Sequence, residues 1–341
     1  MMTLDRGVQL ALAKEAGRAP SAHNSQPARW RFGGDGSLVL FEDRTRRLTI
    51  SDPSGRDARI GLGTAFEGMR LALSRHGLGL TDPVPVVEPA DPPAALVPVA
   101  TVRLHTVDGP DPLADVVSRR HTYRGVFPPA GAEVQSRLTE LLAASPDVER
   151  VSRSMKEVAR RHDACSMEFL AQPAWLAELR GWMRFFPSDP RWTRDGLIAT
   201  CMGLSAVERS VAPWLMLPPV FRALTHLGVT RLLMSDARAV RSSAAIIVLH
   251  HHPDEGDLAA GRRFYRFLLE LCAAGFSACP MSALVDSERG RDWLRQQQII
   301  PEGREPVSVF RVGPAPAPAA SAAPAVPQYR SPRLPAEELL V

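Results

Sequence analysis

Residues 19–27 read APSAHNSQP, and the pattern of the chain on either side of this stretch predicts the fold. Its two prolines restrict the backbone, and its Ser, Asn and Gln side chains can donate and accept hydrogen bonds. Before the stretch, apolar residues recur at helical spacing over residues 4–16, and Gly17 ends the pattern. After it, residues 29–32 and 37–41 are strand-like on either side of the turn GGDG, which predicts a hairpin. The stretch is therefore predicted to be a loop between a helix and a hairpin.

Farther along, helical and strand patterns continue in the same order. A second helix is expected over residues 60–73 and a strand over 99–104. The order helix, strands, helix, strand then occurs again with insertions, and its elements are expected helices at 132–144, 152–171, 174–183 and 262–274 and expected strands at 243–249 and 307–312. We therefore predict an α+β fold of two units, residues 1–107 and 108–313, followed by an Ala/Pro-rich linker and a C-terminal arm over 314–341.

The composition of the 341 residues is that of a soluble globular protein, with 45% hydrophobic and 23% charged residues. The net charge of +4 arises from arginines spread along the chain without a basic stripe, so no nucleic-acid partner is expected. The apolar runs are too short to cross a bilayer and the N-terminus does not resemble a signal peptide, so we expect no membrane partner and a cytoplasmic location. No CxxC spacing occurs, and neither a metal site nor a disulfide framework is expected from the cysteines, Cys165, Cys201, Cys272 and Cys279.

The loop 19–27 has two interpretations. Its hydroxyl and amide side chains match a flat heteroaromatic ring that carries alternating donors and acceptors. Alternatively, Asn24, Ser25 and Pro27 simply close a turn between the helix and the hairpin. His23 is the titratable residue of this loop, and it could either lie beside a bound ring or make structural hydrogen bonds.

Two further motifs are candidate ligand sites. The sequence RHTYR at residues 120–124 brings two guanidinium groups, an imidazole and a hydroxyl into five residues, which suits an anion such as phosphate. The alternative is a solvated basic turn. In GFSACP, Gly275 ends a helix and small residues follow, which lets the backbone approach a ligand. An ordinary helix end before a strand explains this second motif equally well.

Taken in order, APSAHNSQP, RHTYR, GFSACP and the C-terminal RSPRLPAEEL resemble the FMN-dependent nitroreductase family, and more closely its Acg-like branch. The turn DPSGR at residues 52–56 also matches that branch. The resemblance implies a nitroreductase-like mixed sheet flanked by helices, with FMN bound between two fused nitroreductase-like halves of one chain, or between the subunits of a homodimer. The sequence departs from the family at Ala28, where Trp is usual and Trp30 stands two places on, and at Thr122, which replaces the commoner Ser.

The resemblance also implies site residues. The phosphate and ribityl chain of FMN would be held by the second half, and Arg333, with Arg330, would close over the phosphate. The loop of the first half would lie along the isoalloxazine ring, and the backbone after the long helix would pass its reactive edge. The implied cofactor-binding residues are Arg120, His121, Thr122, Arg124, Pro20, Ser21, Asn24, Gln26, Cys279, Pro280, Met281, Arg330 and Arg333.

The activity implied by this resemblance is transfer of two electrons from NAD(P)H through FMN to a nitro, quinone or related small-molecule acceptor. The flavin would carry the chemistry, so no catalytic side chain is expected. The alternative is a protein that sequesters or stores FMN beneath a lid and does not turn over. The candidate lid is the Trp-, Pro- and Met-rich segment 184–222, which could instead be a pair of core helices.

Overall fold

The computed structural model describes residues 3–86, 95–316 and 330–341, and it confirms the predicted α+β class. Parts of the expected connection over 81–98 and most of the Ala/Pro-rich linker lie outside the described residues. The helices are α1 Arg6–Ala16, α2 Arg56–Ser74, α3 Ala132–Ala143, α4 Met155–Leu170, α5 Pro173–Trp182, α6 Ala206–Leu215, α7 Pro218–His226, α8 Thr230–Leu233, α9 Ala237–Arg241, α10 Gly256–Ala273, α11 Ala283–Asp286 and α12 Glu288–Gln296. The strands are β1 Ala28–Phe32, β2 Ser37–Asp43, β3 Leu78–Leu80, β4 Val84–Pro85, β5 Leu96–Thr106, β6 Val148–Arg150, β7 Met183–Arg184, β8 Leu197–Ile198, β9 Ala245–His251, β10 Phe276–Pro280 and β11 Glu305–Pro314.

The first sheet contains the predicted hairpin and is antiparallel. Its strand order is β1-β2-β5-β3, and β4 adds to β5. Trp30, which stands two places from the usual family position, is almost fully buried in the core beneath this sheet. The C-terminal arm extends the same sheet, because Val341 donates its backbone N–H to the carbonyl oxygen of Trp30 at 2.8 Å. The end of the chain is therefore fixed to its first strand.

The second sheet has the strand order β6-β9-β11-β10, again with antiparallel pairs. In both sheets the second strand in the order leads into a long helix: β2 leads into α2, and β9 leads into α10. Each helix is followed by the edge strand at the far end of its sheet, β3 or β10, and later by the strand beside that edge, β5 or β11. Parallel pairing joins the two short strands β7 and β8. The two sheets thus share one connectivity, while descent from a duplicated unit and the boundary after residue 107 stay predictions.

The long helices α2 and α10 pack directly against each other through glycine. A Cβ atom at Gly63 would overlap the carbonyl oxygen of Leu258, and a Cβ atom at Gly261 would overlap the carbonyl oxygen of Ile60. Neither helix has room for a side chain at this crossing, so the two backbones approach closely. The crossing joins the half that contains the first sheet to the half that contains the second.

A buried carboxylate adds an electrostatic link at the same helix pair. The Glu67 side chain on α2 is 1% exposed and accepts hydrogen bonds at 2.8 Å from both Arg70 and Arg266, the second of which is on α10. The same two arginines lie 2.8 Å from Asp111. Burial opposes the ionisation of Glu67, but the hydrogen bonds from Arg70 and Arg266 outweigh it and lower the pKa of Glu67.

The hydrophobic cores do not follow the predicted boundary strictly. Ala114, Val116 and Val117 belong to the core beneath the first sheet, although they follow residue 107. Tyr265 of α10 also packs there, while Ile60 of α2 packs beneath the second sheet. The two halves therefore interlock. None of the helices in the described part of the chain is long and apolar enough to span a membrane.

Candidate cofactor-binding site

A cavity of about 300 Å³ lies between the two halves, within the size range of small-molecule sites. The first half contributes the loop 19–27 and the start of α2, and the second half contributes the RHTYR motif, β10 and α10. The site residues that the sequence predicted and that line this cavity are Pro20, Ser21, Arg120, His121, Thr122, Arg124 and Pro280, and His23 lines it too. One chain therefore supplies both sides of the cavity.

The loop 19–27 is strained. The backbone of this loop has φ values of 48° at His23, 56° at Asn24 and 54° at Gln26. These values lie in the left-handed region, which residues other than glycine uncommonly adopt. The Ser21 hydroxyl accepts a hydrogen bond from the Gln26 backbone N–H at 2.9 Å and helps to hold this geometry. Such strain persists only where the surroundings enforce it, and it clusters at ligand sites.

The two amide side chains of the loop have a different role from the one predicted. Asn24 donates to the carbonyl oxygen of Pro332 at 3.0 Å, and its own oxygen accepts from Arg333 at 2.7 Å. Gln26 donates to the carbonyl oxygen of Arg194 at 2.9 Å and accepts from the Leu334 N–H at the same distance. Neither residue lines the cavity. Both side chains fasten the C-terminal arm to the loop, and their expected contact with a ring stays a prediction.

The RHTYR motif lies beside β10, which sets the direction of its side chains. Thr122 forms a parallel bridge with Ala278, and the Tyr123 N–H donates to the Ala278 carbonyl oxygen at 3.2 Å. His121 Nδ1 lies 3.2 Å from the carbonyl oxygen of Arg119. Burial, together with the positive charge of neighbouring arginines, lowers the pKa of His121. The motif is therefore an ordered wall of the cavity and not a solvated turn.

Four arginines form a basic cluster at this wall. Buried guanidinium nitrogens that have no hydrogen-bond partner are found on Arg120, Arg124, Arg330 and Arg333, two of which line the cavity directly. No carboxylate lies within 4.0 Å of any of the four among residues 3–86, 95–316 and 330–341. Burial and the charge of Arg120 lower the pKa of Arg333 to about 10. Buried cations of this kind need an anion with several oxygen acceptors, and a phosphate group fits that requirement.

The GFSACP motif is divided between the cavity and the core. Gly275 was predicted to end a helix, and it follows α10 with a φ of 84°, in the left-handed region that favours glycine. Ala278 and Pro280 line the cavity. Cys279 and Met281 are buried away from its lining, and Met281 packs in the core. Of the three residues expected beside the reactive edge of a ring, Pro280 is the one that faces the cavity.

The cover of the cavity is made by one residue before the expected lid segment 184–222 and by one residue within it. Trp175 of α5 and Leu197 of β8 line the cavity, whereas Trp214, at the apolar tip of the segment 184–222, is 69% exposed and lies outside the lining. The segment 184–222 therefore lines the cavity with Leu197 and not with Trp214, and its role as a lid or as core helices stays a prediction. Its physical contact with the cavity is made by β8, next to a helix that precedes the predicted segment.

Ion pairs fix this cover to the first half. The two carboxylate oxygens of Asp195 pair with guanidinium nitrogens of two arginines, Oδ1 with Arg184 Nη2 at 2.7 Å and Oδ2 with Arg46 Nη2 at 2.6 Å. Arg46 also donates to the carbonyl oxygen of Ser25 in the loop. Glu178 of α5 accepts hydrogen bonds from the Ser51 backbone N–H at 2.8 Å and from its hydroxyl at 2.7 Å. Because the carboxylates are paired with cations or N–H groups, the cover is held closed by specific bonds.

His23 lies where the cover meets the loop. Its ring is 6.4 Å from the Trp175 ring in an edge-to-face contact. Burial, followed by the positive charge of Arg124, lowers the pKa of His23 to about 4, although Glu178 opposes the shift. His23 is therefore neutral near pH 7 and adds no positive charge to the cavity.

Two acidic side chains of the cavity were missed in the sequence. Asp57 lies in the first turn of α2, directly after the DPSGR turn, and Asp286 is the last residue of α11. Burial and the charge of Asp52 raise the pKa of Asp57 to about 6. Burial and the charge of Asp57 raise the pKa of Asp286 to about 8. The position of Asp57 beside a recognisable turn was the available signal, while nothing around Asp286 indicated it.

No protein-family model matches the chain. The protein "Putative NAD(P)H nitroreductase acg" of Mycobacterium tuberculosis is 27% identical over 331 residues, which cover 93% of this chain and 91% of that protein. "Uncharacterized protein Rv3127" of the same organism is 27% identical over 344 residues, which cover 95% of this chain and 90% of that protein. The resemblance predicted from the sequence is confirmed to this extent: over nearly its whole length the chain is similar to a protein that is named as an Acg nitroreductase.

Among solved structures, the chain is similar to the FMN-dependent nitroreductase NfnB from Mycobacterium smegmatis in complex with NADPH. The identity is 17%, the match covers 60% of this chain and 87% of that chain, and the TM-score is 0.32.

Proposed function

We propose that the protein is an FMN-dependent oxidoreductase that passes two electrons from NAD(P)H to a nitro, quinone or related small-molecule acceptor. One observation carries the proposal: four arginines without carboxylate partners, each with a buried and unpaired guanidinium nitrogen, lie at or behind the wall of a cavity between the two halves. The terminal phosphate of FMN supplies the anion that this basic cluster lacks. The full-length relative named as an NAD(P)H nitroreductase supports the same assignment.

Different residues of the chain would bind the phosphate and the ring of FMN. Arg120 and Arg124 would contact the phosphate, and Thr122 would offer a hydroxyl beside it. Arg333 and Arg330 would add positive charge from behind, since they do not line the cavity. Pro20, Ser21 and Pro280 would contact the ring as rigid walls. The bound flavin would supply hydride chemistry, while these residues fix its position and exclude water.

The same geometry supports a proposal for the oligomeric state. Both halves of one chain line the cavity, so one chain would form one complete site. A monomeric pseudo-dimer with one FMN per chain is therefore our proposal, and a homodimer would need to carry one site in each chain.

The structure also favours a second candidate, flavin sequestration. The cover made by Trp175 and Leu197 is held by the Arg184–Asp195–Arg46 bridge and by Glu178. A cover that stays closed would shut out nicotinamide and leave the flavin silent.

The visible spectrum of the purified protein separates these possibilities. An FMN spectrum that bleaches on anaerobic addition of NADPH is the result expected for the oxidoreductase. An FMN spectrum that bleaches with dithionite and not with NADPH would favour sequestration. Protein that is colourless and fails to take up added FMN would contradict both.

A further inference from the structure

Arg311 of β11 is a buried arginine close behind the candidate cofactor site. The residue is 4% exposed and lies outside the lining of the cavity. Within residues 3–86, 95–316 and 330–341, no carboxylate lies within 4.0 Å of its guanidinium group. A buried cation without a counter-ion is costly unless other polar groups bind it. The groups that do bind Arg311 therefore indicate its role.

Those groups belong to the backbone on either side of Arg124. Arg311 Nη1 donates a hydrogen bond to the carbonyl oxygen of Gly125 at 2.9 Å, and Nη2 donates to the carbonyl oxygen of Tyr123 at 3.4 Å. One rigid guanidinium group thus binds both the residue before Arg124 and the residue after it. Arg124 itself lines the cavity and has a buried guanidinium nitrogen without a hydrogen-bond partner. A cation of the cavity wall is therefore held in place by a cation outside that wall.

The strand face that carries Arg311 also contacts Phe127, which follows the RHTYR motif. Arg311 and Gly313 are two residues apart on β11 and so lie on one face of the strand. A Cβ atom at Gly313 would overlap the Phe127 ring, so the ring lies directly against the strand. The Arg311 guanidinium lies over the same ring, 5.0 Å from its centroid, and the Phe127 N–H donates to the Ser242 hydroxyl at 3.0 Å. Hydrogen bonds, a cation–π contact and close packing therefore fix the segment 123–127 on β11.

We propose that Arg311 is a positioning residue of the phosphate site, an inference that rests on the FMN-binding function proposed above. By holding the two carbonyl oxygens that flank Arg124, it keeps the Arg124 side chain directed at the cavity. A binding group is precise only when the residues behind it fix its position. Since Arg124 is assigned to the phosphate and not to the ring, Arg311 sets the preference of the site for FMN over riboflavin, the same flavin without the phosphate.

The positioning is tested first in the full chain without added cofactor. Arg311→Met removes both hydrogen bonds, so amide hydrogen exchange over residues 123–127 should become at least about tenfold faster. Val309→Ala is the matched control, because Val309 is buried on the same strand face and lies outside the cavity lining. It should lower the melting temperature and change exchange over 123–127 by less than about twofold. Unchanged exchange in Arg311→Met, or equal acceleration in both variants, would overturn the inference.

A second variant serves if Arg311→Met does not fold. Arg311→Lys keeps a cation that can donate to one of the two carbonyl oxygens, but it lacks the planar fork that binds both. Exchange over residues 123–127 should then become about threefold faster than in the wild type. Exchange as slow as in the wild type would overturn the inference here as well.

The effect on specificity is tested by titrating FMN and riboflavin against the wild type and the same variants. Arg311→Met should raise the Kd for FMN at least about tenfold, as expected when a charged partner of the phosphate is misplaced. The Kd for riboflavin should change by less than about threefold, because riboflavin has no phosphate for Arg124 to bind. Val309→Ala should leave both Kd values within about twofold of the wild type.

Two results of this titration would contradict the assignment. A parallel loss of affinity for both flavins in Arg311→Met would show a general structural role, and an unchanged Kd for FMN would show no role in the site. A wild type that binds neither flavin would instead contradict the proposed function. The exchange measurement would still decide in that case whether Arg311 holds the segment 123–127.

Discussion

Arg333 donates a hydrogen bond to the Asn24 side-chain oxygen at 2.7 Å across a sequence separation of 309 residues. Through this bond the C-terminal arm and the strained loop 19–27 hold each other in place. The same guanidinium donates to the Arg18 carbonyl oxygen at 3.0 Å and keeps one buried nitrogen unpaired. Arg333 thus both fastens the loop and adds positive charge to the basic cluster.

These two roles can be separated by mutation. Arg333→Ala should lower the melting temperature and weaken FMN binding at least about tenfold, which corresponds to about 1.4 kcal/mol. Asn24→Ala removes the fastening and leaves the charge, so it should lower the melting temperature with a smaller loss of FMN affinity. Calorimetry and FMN titration of both variants give the comparison. Equal losses of affinity in the two would mean that Arg333 acts through the fastening alone.

The buried carboxylate of Glu67 predicts a pH dependence of stability. The folded state lowers the pKa of Glu67 below its unfolded value of 4.5, so its contribution is present above that pH and is lost as the pH falls below it. Glu67→Gln should cost about 2–3 kcal/mol at pH 7, because the arginines that remain keep Asp111 as a partner and part of their hydration. The variant should also lose less stability than the wild type on acidification. Urea unfolding at several pH values measures both effects, and parallel curves for the two proteins would exclude this role.

A side chain placed at the glycine crossing of α2 and α10 should destabilise the protein, because the two backbones leave no room for it. Gly63→Ala should destabilise the protein by about 1–3 kcal/mol, because the new methyl group would overlap the Leu258 carbonyl oxygen. Gly181→Ala is the matched control, since Gly181 is also helical but exposed with free space around it. That change should leave stability unchanged or raise it by up to about 1 kcal/mol. A similar loss in both variants would show that the crossing does not depend on close backbone contact.

Removing the aromatic side chain of Trp175 from the cover should give NADPH faster access to the bound flavin. Trp175→Ala should accelerate reduction of the bound flavin by NADPH, because Trp175 lines the cavity, and should leave FMN bound, because the basic cluster is untouched. Trp214→Ala is the control, since that exposed side chain lies outside the lining. Anaerobic stopped-flow absorbance follows the reduction. If Trp214→Ala accelerates flavin reduction and Trp175→Ala does not, access to the flavin is controlled by the apolar tip of the segment 184–222 and not by Trp175.

Local patterns predicted much of the fold. The spacing of apolar residues predicted α1, α2 and α10, and the GGDG turn between two strand-like runs predicted the hairpin β1–β2. Gly275 marked the end of α10 because its left-handed conformation favours glycine. The segment 184–235 shows no clear helical or strand period in its apolar residues. Some of these residues pack in a small core of Trp, Phe, Met and Leu side chains, while others, such as Trp214 and Leu232, are exposed.

The candidate site depends more on contacts distant in sequence. The Arg-rich motif was visible because its two arginines and its histidine lie within five residues, whereas its packing beside β10 was not visible. The fastening role of Asn24 and Gln26 depends on residues 194 and 332–334, which no local pattern connects to the loop. The presence of Asp57 and Asp286 in one cavity depends in the same way on the packing of the two halves.

The central claim is that the basic cluster binds the phosphate of FMN, and titration of FMN against three proteins tests it most directly. Arg120→Ala removes a half-buried cation of the cavity wall, which should cost about 1.5–3 kcal/mol and raise the Kd for FMN at least about tenfold. Arg119→Ala, the matched control, changes the exposed neighbour outside the lining and should leave the Kd within about twofold of the wild type. The wild type should bind one FMN per chain. An Arg120→Ala protein that folds normally and binds FMN as tightly as the wild type and Arg119→Ala would contradict the claim.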